Sequence, residues 1–451
     1  MKDRAERSVE RTVRLAVTGL SGSGKTVFTC SLLHQLQHLR HQAALLNLPG
    51  LAQIQGVRIQ DTSTLSAPRF PYQEALERLG APDPHWPEST RNVSEIRVAI
   101  RYRPKKRLGT LFTGTRTLNV DVVDYPGEWL LDLPLLKRDY AEWSRQAMAL
   151  CRQEPRAELS TRWREFAGSL DAGKSALENT ALITEGARLY RDYLGACSRL
   201  GLQFIQPGRF VLPGDLEGAP IIEFFPVEET PRNAGEGTIY RTLAQRFEAY
   251  KKEVVAPFYK HHFAEFDRQI ILVDLLSMLN TGEAAFQDTR DALVEILENF
   301  RYGKANWLTR IFRPKIDRVL FAATKADRVS RDQSPLLTNF LSTMLMEPEN
   351  NVGFQGVGIR HLAISALCCT RDVKCTVEQL PASCVQGVPV GGNEMKIVFP
   401  GQVPSRPPAP GDWDAYNFMD FEPPVIPYIH GQPLDQLKMY EVISYLLGDE
   451  F

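Results

Sequence analysis

Val13-Arg14-Leu15-Ala16-Val17-Thr18-Gly19-Leu20-Ser21-Gly22-Ser23-Gly24-Lys25-Thr26 lies near the start of the 451-residue chain. Residues 13–18 read as a buried strand. Gly19 to Thr26 then meets the pattern G-x-x-x-x-G-K-[ST] in full. Beyond it Val27, Phe28, Leu32, Leu36 and Leu39 fall near helical spacing, which predicts an amphipathic helix through about Arg40. In this order of strand, glycine loop and helix, loop amides and a helix N-terminus converge on phosphate. Glycines 19, 22 and 24 permit positive φ or close backbone approach. Gly19, Ser21, Gly22, Ser23, Gly24, Lys25, Thr26 and Val27 are therefore the expected phosphate contacts. Lys25 would reach the β and γ phosphates, and the Thr26 hydroxyl would coordinate Mg²⁺.

A second element follows at Asp124-Tyr125-Pro126-Gly127, where a strand ends in a carboxylate. After a phosphate loop, such an aspartate binds Mg²⁺ through water. The glycine amide reports the γ-phosphate. Asp121, three residues earlier, is expected on the opposite strand face, as a solvent-facing or hairpin charge.

A third element closes the strand Arg318–Ala323. Thr324-Lys325-Ala326-Asp327 resembles the Asn-Lys-x-Asp signature of guanine-nucleotide-binding proteins, with Thr in place of Asn. Asp327 would accept from the guanine N1–H and exocyclic amine, a donor pair that adenine lacks. The Lys325 stem would lie over the base. Ser365-Ala366-Leu367 resembles the loop that meets the guanine carbonyl through a backbone amide.

Around these elements, alternating strands and helices predict one doubly wound α/β domain with a mixed, mostly parallel sheet. Residues 41–92 read as largely irregular with a helix at Tyr72–Leu79. Glu95–Tyr102 and Arg116–Val123 read as an antiparallel hairpin. Residues 131–265 lack strand patterns and read as a large all-helical insertion, with helices over 133–152, 158–169, 173–199 and 237–264. Strands return at Gln269–Leu275, Arg318–Ala323 and His361–Ser365, with helices at 284–301 and 334–346. Short β segments, a proline-rich stretch at 400–427 and a last helix, Leu434–Leu447, complete the chain. The expected division is 1–130 and 266–451 for the α/β domain and 131–265 for the insertion. No internal repeat is visible.

Bulk composition narrows the class. Hydrophobic residues make up 43% and charged residues 24%, with a formal net charge of -1. That is a globular balance without a global field for nucleic acid. No run approaches the length of about 20 apolar residues that a bilayer span needs. Met1-Lys2-Asp3-Arg4-Ala5-Glu6-Arg7 is too polar for a signal peptide, so a cytoplasmic protein is expected. Membrane contact would be peripheral and through a partner. Seven cysteines with no C-x-x-C pair are expected as reduced, mostly buried thiols.

With these residues placed, the chain resembles the YcjX family of bacterial P-loop GTPases. The resemblance rests on Gly19–Thr26, on Trp86-Pro87-Glu88-Ser89-Thr90-Arg91, on Asp121 through Pro134, and on Thr324–Asp327. The long block Asp-Tyr-Pro-Gly-Glu-Trp-Leu is far more specific than a phosphate loop alone. It implies a Ras-like domain with a large helical insertion, GTP and GDP binding with Mg²⁺, and a link to bacterial stress response.

A Ras-like domain needs a threonine in its first mobile loop to complete the Mg²⁺ shell. Thr90 is the first candidate, with Ser89 adjacent and Thr110, Thr113 and Thr115 behind it. Glu128 stands where many such enzymes carry a water-orienting glutamine, and its charge would face the γ-phosphate. Arg91 is a candidate internal arginine finger. Lys105, Lys106 and Arg107 read as a solvated hairpin tip or a basic contact. The catalytic candidates are thus Lys25, Thr90, Arg91, Gly127 and Glu128, and the metal ligands Thr26, Thr90 and Asp124. The expected activity is slow GTP hydrolysis by a molecular switch that acts on an unidentified protein through its helical insertion. The rivals are an ATP-dependent P-loop enzyme, which should not need Asp327, and a non-catalytic nucleotide-gated scaffold.

Overall fold

The computed structural model describes residues 10–45, 51–60, 67–90, 92–103, 114–228, 230–232, 234–298, 316–352, 357–377 and 379–451. Strand β1 (Glu10–Gly19) leads through the glycine loop into helix α1 (Lys25–Leu45). Then come β2 (Ile54–Gln60), α2 (Tyr72–Leu79), β3 (Ser94–Tyr102) and β4 (Arg116–Asp124). A 3-10 run, Gly127–Lys137, opens a stretch with no strand among its described residues. It carries α3 (Tyr140–Leu150), α4 (Arg156–Leu159), α5 (Thr161–Ser169), α6 (Thr180–Arg199), α7 (Ile239–Tyr250) and α8 (Ala256–His261). Strands resume with β5 (Arg268–Val273), followed by α9 (Leu275–Thr281), α10 (Glu283–Glu298), β6 (Arg318–Ala323), α11 (Ser334–Val352) and β7 (Gly358–Ala363). The C-terminal part holds β8 (Arg371–Val377), β9 (Leu380–Gly387), β10 (Lys396–Val398) and α12 (Met439–Leu447).

Seven strands form one sheet in the order β2-β3-β4-β1-β5-β6-β7. The five from β4 to β7 run parallel, whereas β2 and β3 are antiparallel to their neighbours. The expected hairpin is therefore present, with Ser94 opposite Asp124 and Tyr102 opposite Arg116. Strands β8 to β10 make a separate three-stranded sheet.

Side-chain alternation divides the core into two layers. Val13, Leu15 and Val17 of β1 face one layer, shared with Phe28, Leu32, Leu36 and Leu39 of α1 and with α12. Those α1 residues are four of the five that the helical spacing singled out; Val27 is half-buried against the same layer. Each of the four is essentially fully buried, worth about 1.5–3 kcal/mol apiece against exposure. Ala16, Val123 and Tyr125 face the other layer. There the sheet, α9, α10 and α11 share one continuous core with the helices between β4 and β5, through Trp143, Tyr190, Phe224 and Phe247. One π-helical turn, Lys251–Val255, joins α7 to α8. Pro257 follows it and supplies no amide for a regular ladder. Among the described residues no helix is long and apolar enough to cross a membrane.

Several expectations are corrected. β2 lies inside the segment read as irregular; it is an edge strand of alternating burial, too polar to stand out. Asp121 is a hairpin charge, opposite Arg97, and not a solvent-facing one. It is buried, and its carboxylate takes both Nε and a terminal amine of Arg97 on β3. Cys375 and Cys384 form a disulfide across β8 and β9, while Cys30, Cys151, Cys197 and Cys368 are free and buried. The pairing depends on two strands lying side by side, which spacing does not reveal. The last helix starts at Met439. Lys438 adopts φ of 61°, and Leu437 exchanges two backbone bonds with Ser365, so Leu437 is pinned outside the helix.

Candidate functional site

The three glycines of the phosphate loop are needed for different reasons. Gly22 and Gly24 have φ of 74° and 78°, a region costly for residues with a Cβ. Gly19 needs space instead: a Cβ there would lie 2.8 Å from Leu272 Cβ on β5. The Leu20 amide bonds Leu272 O at 3.1 Å, and Ser23 N returns to Leu20 O at 3.1 Å. The loop is thereby held between β1 and β5, with α1 starting at its far end.

Three oxygen-bearing side chains from three separate segments meet beside this loop. Thr26 Oγ1 lies 3.2 Å from Thr90 Oγ1, and Thr90 Oγ1 donates to Asp124 Oδ2 at 2.6 Å. Thr26 also donates to the Glu88 carbonyl at 3.1 Å. Lys25 Nζ stands 4.0 Å from Asp124 Oδ1. Burial raises the Asp124 carboxyl above its ordinary range, opposed by Lys25 and by the Thr90 hydroxyl. Its Oδ1 is buried with no hydrogen-bond partner, an unsatisfied acceptor that a bound cation or its water would satisfy. Two hydroxyls and one hard carboxylate oxygen suit Mg²⁺, which keeps several waters and takes phosphate oxygens as well. Among the described residues no cluster of three or more His, Cys, Asp or Glu could hold a metal. Thr115 is exposed and bonds Gln55 at 3.3 Å, away from this group.

Gly127 packs on Gly19. A Cβ at 127 would overlap the Gly19 carbonyl, so the Asp-x-x-Gly loop lies directly on the phosphate loop. Glu128 lines the same cavity. Burial raises its carboxyl, and the nearby Lys25 ammonium partly offsets that. Arg91, Lys105, Lys106, Arg107, Thr110 and Thr113 lie outside the described residues.

At the other end, Asp327 is held by two donors. Ser365 Oγ donates to Oδ1 at 2.6 Å, and the Cys369 amide to Oδ2 at 2.7 Å. Burial raises its carboxyl and these bonds restrain it. Lys325 adopts φ of 54°. Its ammonium bonds Asp274 Oδ2 at 2.7 Å, and its Cε lies 4.0 Å from where a Gly24 Cβ would stand. The Lys325 stem thus runs beside the phosphate loop. Asp274, read as part of a strand, caps α9 through the Ser277 amide at 3.0 Å. Burial pushes its carboxyl up, and Lys325 and Arg328 more than reverse that, leaving it low.

Both ends open on one cavity of about 520 Å³. It is lined by Gly19 to Phe28, by Thr90 and Glu128, by Thr324, Lys325 and Asp327, and by Ser365, Ala366 and Leu367. Asp124 sits just behind it, through Thr90.

The segment that follows α6 reaches this site as well. Leu212 lines the cavity. Gln203 Nε2 bonds the Ser21 carbonyl at 3.4 Å. A Cβ on Gly208 would overlap the Glu128 backbone, and the Gly208 amide bonds Asp132 Oδ1 at 2.8 Å. The Arg209 guanidinium sits 3.2 Å above the Trp129 ring centre. Residues 203–212 therefore touch the phosphate loop and the Asp-x-x-Gly loop together.

The sequence profile of the YcjX-like family, DUF463, matches residues 13–451. The chain belongs to the YcjX-like family. A relative called Ras-like GTPase YcjX, from Escherichia coli strain K12, is 40% identical over 457 residues, covering 98% of this chain and 97% of its own. Another of that name, from Shewanella oneidensis, is 37% identical over 470 residues, covering 98% and 96%.

Spacing within the sequence missed three contributions to the site of this family member. Trp86 and Pro87 line the cavity, although only their place in a specific block drew notice. Gln203, Gly208 and Leu212 lie in a connector without a motif. Val390, Asp420 and Phe421 also line it, from a stretch read as short β segments and proline-rich chain. The buried Trp413, Phe418 and Phe421 are the signal that this stretch packs.

Proposed function

We propose that the cavity binds GTP and GDP with Mg²⁺ and that the protein hydrolyses GTP slowly, as a switch. One observation carries this reading: a complete phosphate loop and a Thr-Lys-x-Asp loop line one cavity, with Thr26, Thr90 and Asp124 joined beside the phosphate loop. The names of the two relatives support guanine nucleotides over adenine. The stress link rests on the family resemblance alone.

In this reading the loop amides and Lys25 hold the β and γ phosphates. Asp327 accepts from the guanine edge, and Ser365 and Cys369 keep its carboxylate aimed. Thr26, Thr90 and, through water, Asp124 would hold Mg²⁺, which when bound neutralises the charge between the β and γ phosphates. Gly127, resting on Gly19, would meet the γ-phosphate with its amide. Glu128 would orient the attacking water. Among the described lining residues the cations are Lys25, Lys325 and Arg328. Arg328 is engaged by Asp274, Asp420 and the carbonyls of Phe418 and Met419. This supports slow turnover unless Arg91 or a partner supplies a finger.

We read 1–130 and 266–451 as the nucleotide-binding part and 131–265 as the helical module that meets a protein partner. Ordering of the Asp-x-x-Gly loop by γ-phosphate would shift residues 203–212 and so the module. Identical placement of 131–265 with GDP and with a GTP analogue would refute that coupling.

The deciding experiment is a titration of GDP, GTP, ADP and ATP with Mg²⁺. Guanine nucleotides should bind at least about 100-fold more tightly than adenine ones. Asp327→Ala should remove the preference, and Lys25→Ala should abolish binding of all four. Equal affinity for ADP and GDP would sink the reading. Phosphate release then separates a GTPase from a nucleotide-gated scaffold.

A further inference from the structure

The base end of the cavity has a wall that the three nucleotide motifs do not supply. It comes from the C-terminal chain. Val390 N bonds Asp420 O at 3.0 Å, and Glu422 N bonds Val388 O at 2.8 Å. These tie the turn after β9 to residues 420–422. Asp420 Oδ1 meets Arg328 at 3.1 Å, and Arg328 also bonds the carbonyls of Phe418 and Met419. Arg328 is the residue after Asp327. The base-reading loop and the C-terminal wall are thus fastened through one buried guanidinium.

Phe421 is the aromatic face of that wall. It is 5% exposed and lines the cavity with Lys325, Asp327 and Cys369. Its ring packs over Gly387: a Cβ there would lie 2.8 Å from the Phe421 ring and 2.9 Å from the Cys369 carbonyl. Cys369 is the residue whose amide holds Asp327. The ring is therefore anchored beside the carboxylate that would read the guanine edge.

We propose that Phe421 is the apolar platform on which the purine ring packs, so that the C-terminal segment completes the base subsite. The inference rests on the guanine reading and adds a base-binding residue to it. A planar apolar wall favours a purine ring over bare polyphosphate, while Asp327 selects among purines. Aromatic packing on a base is sequence-tolerant because every base offers a π face. Phe421 thus contributes affinity for the base, and Asp327 contributes the choice.

The test compares GDP with inorganic pyrophosphate, each with Mg²⁺, by calorimetry on the full chain. Phe421→Leu keeps an apolar side chain and removes the ring. It should weaken GDP binding about 5- to 150-fold, the range expected for a lost base–aromatic contact. Pyrophosphate binding should stay as in the wild type. Phe421→Trp keeps a ring and should hold GDP within about twofold of the wild type. A merely structural Phe421 would lower GDP and pyrophosphate together, and that result overturns the proposal. So does a Leu variant that binds GDP like the wild type, or loss of GDP binding in both variants. Wild-type protein that fails to prefer GDP to ADP sinks the guanine reading itself, before any variant is compared.

Discussion

Thr90 Oγ1 donates to Asp124 Oδ2 at 2.6 Å, while Asp124 Oδ1 is buried without a hydrogen-bond partner. Thr90 belongs to the loop before β3 and Asp124 ends β4, so one bond ties that loop to the floor of the site. The bond would open if Thr90 turned toward a cation shared with Thr26 and phosphate. Thr90→Ala should therefore weaken binding of a GTP analogue about 10- to 100-fold with Mg²⁺, the loss expected for a charge-assisted contact. GDP should lose less, and Thr90→Ser should restore both. Titrations with and without Mg²⁺ check this; an unchanged Mg²⁺ dependence in the Ala variant would remove Thr90 from the metal shell.

Gly127 has no room for a side chain, because its Cβ would overlap the Gly19 carbonyl. Gly127→Ala must push the Asp-x-x-Gly loop off the phosphate loop, at about 1–3 kcal/mol of stability. The expected functional result is a lower affinity for GTP analogues relative to GDP, since the amide loses its place. Melting curves and paired titrations read the two effects separately.

Arg156 and Asp288 form a buried pair, with side chains 4% and 7% exposed. Asp288 also accepts the amides of Gln203 and Phe204, so the pair fixes the segment that reaches Ser21. Arg156→Ala leaves a buried carboxylate and should cost about 3–5 kcal/mol. Replacing both, as Arg156→Met with Asp288→Leu, should recover part of that loss. A single variant that melts like the wild type would show that the pair fixes nothing.

Asp132 gives a pH dependence of known sign. Its carboxyl takes the Gly208 amide and the Tyr250 hydroxyl, and burial raises it from 3.8 to about 6. The folded state then holds the proton more tightly than the unfolded chain. The associated stability is full below about pH 3.8 and is lost as pH rises through about 6. It amounts to about 3 kcal/mol. Asp132→Asn cannot titrate. The melting temperature of the wild type, minus that of Asp132→Asn, should therefore fall between pH 4 and pH 7, as measured by thermal melts across that range.

Legibility followed the range of the interaction. Gly19–Thr26, Asp124–Gly127 and Thr324–Asp327 are contiguous motifs, and each sits at the end of the strand that hydrophobic runs predicted. Thr90 was read as one of several hydroxyls in a long loop; only the fold sets it 3.2 Å from Thr26. Of the two readings of Asp121, the hairpin charge holds and the solvent-facing one does not, because its Arg97 partner lies opposite it on the neighbouring strand, and register is a property of pairs of strands. Lys325 bonds Asp274 across β5 and β6, a contact that no spacing within either segment announces.

The sequence by itself determined the phosphate loop, the strands that carry it and the carboxylates at their ends, because glycine conformations and strand or helix periods are local requirements. Only the tertiary structure decided that residues 203–212 rest on both the Gly19–Thr26 and the Asp124–Gly127 loops, and that Val390, Asp420 and Phe421 line the cavity with Asp327. Those contacts join segments far apart in the chain, through shape and buried hydrogen bonds. Such complementarity exists only once the sheet has brought both surfaces together.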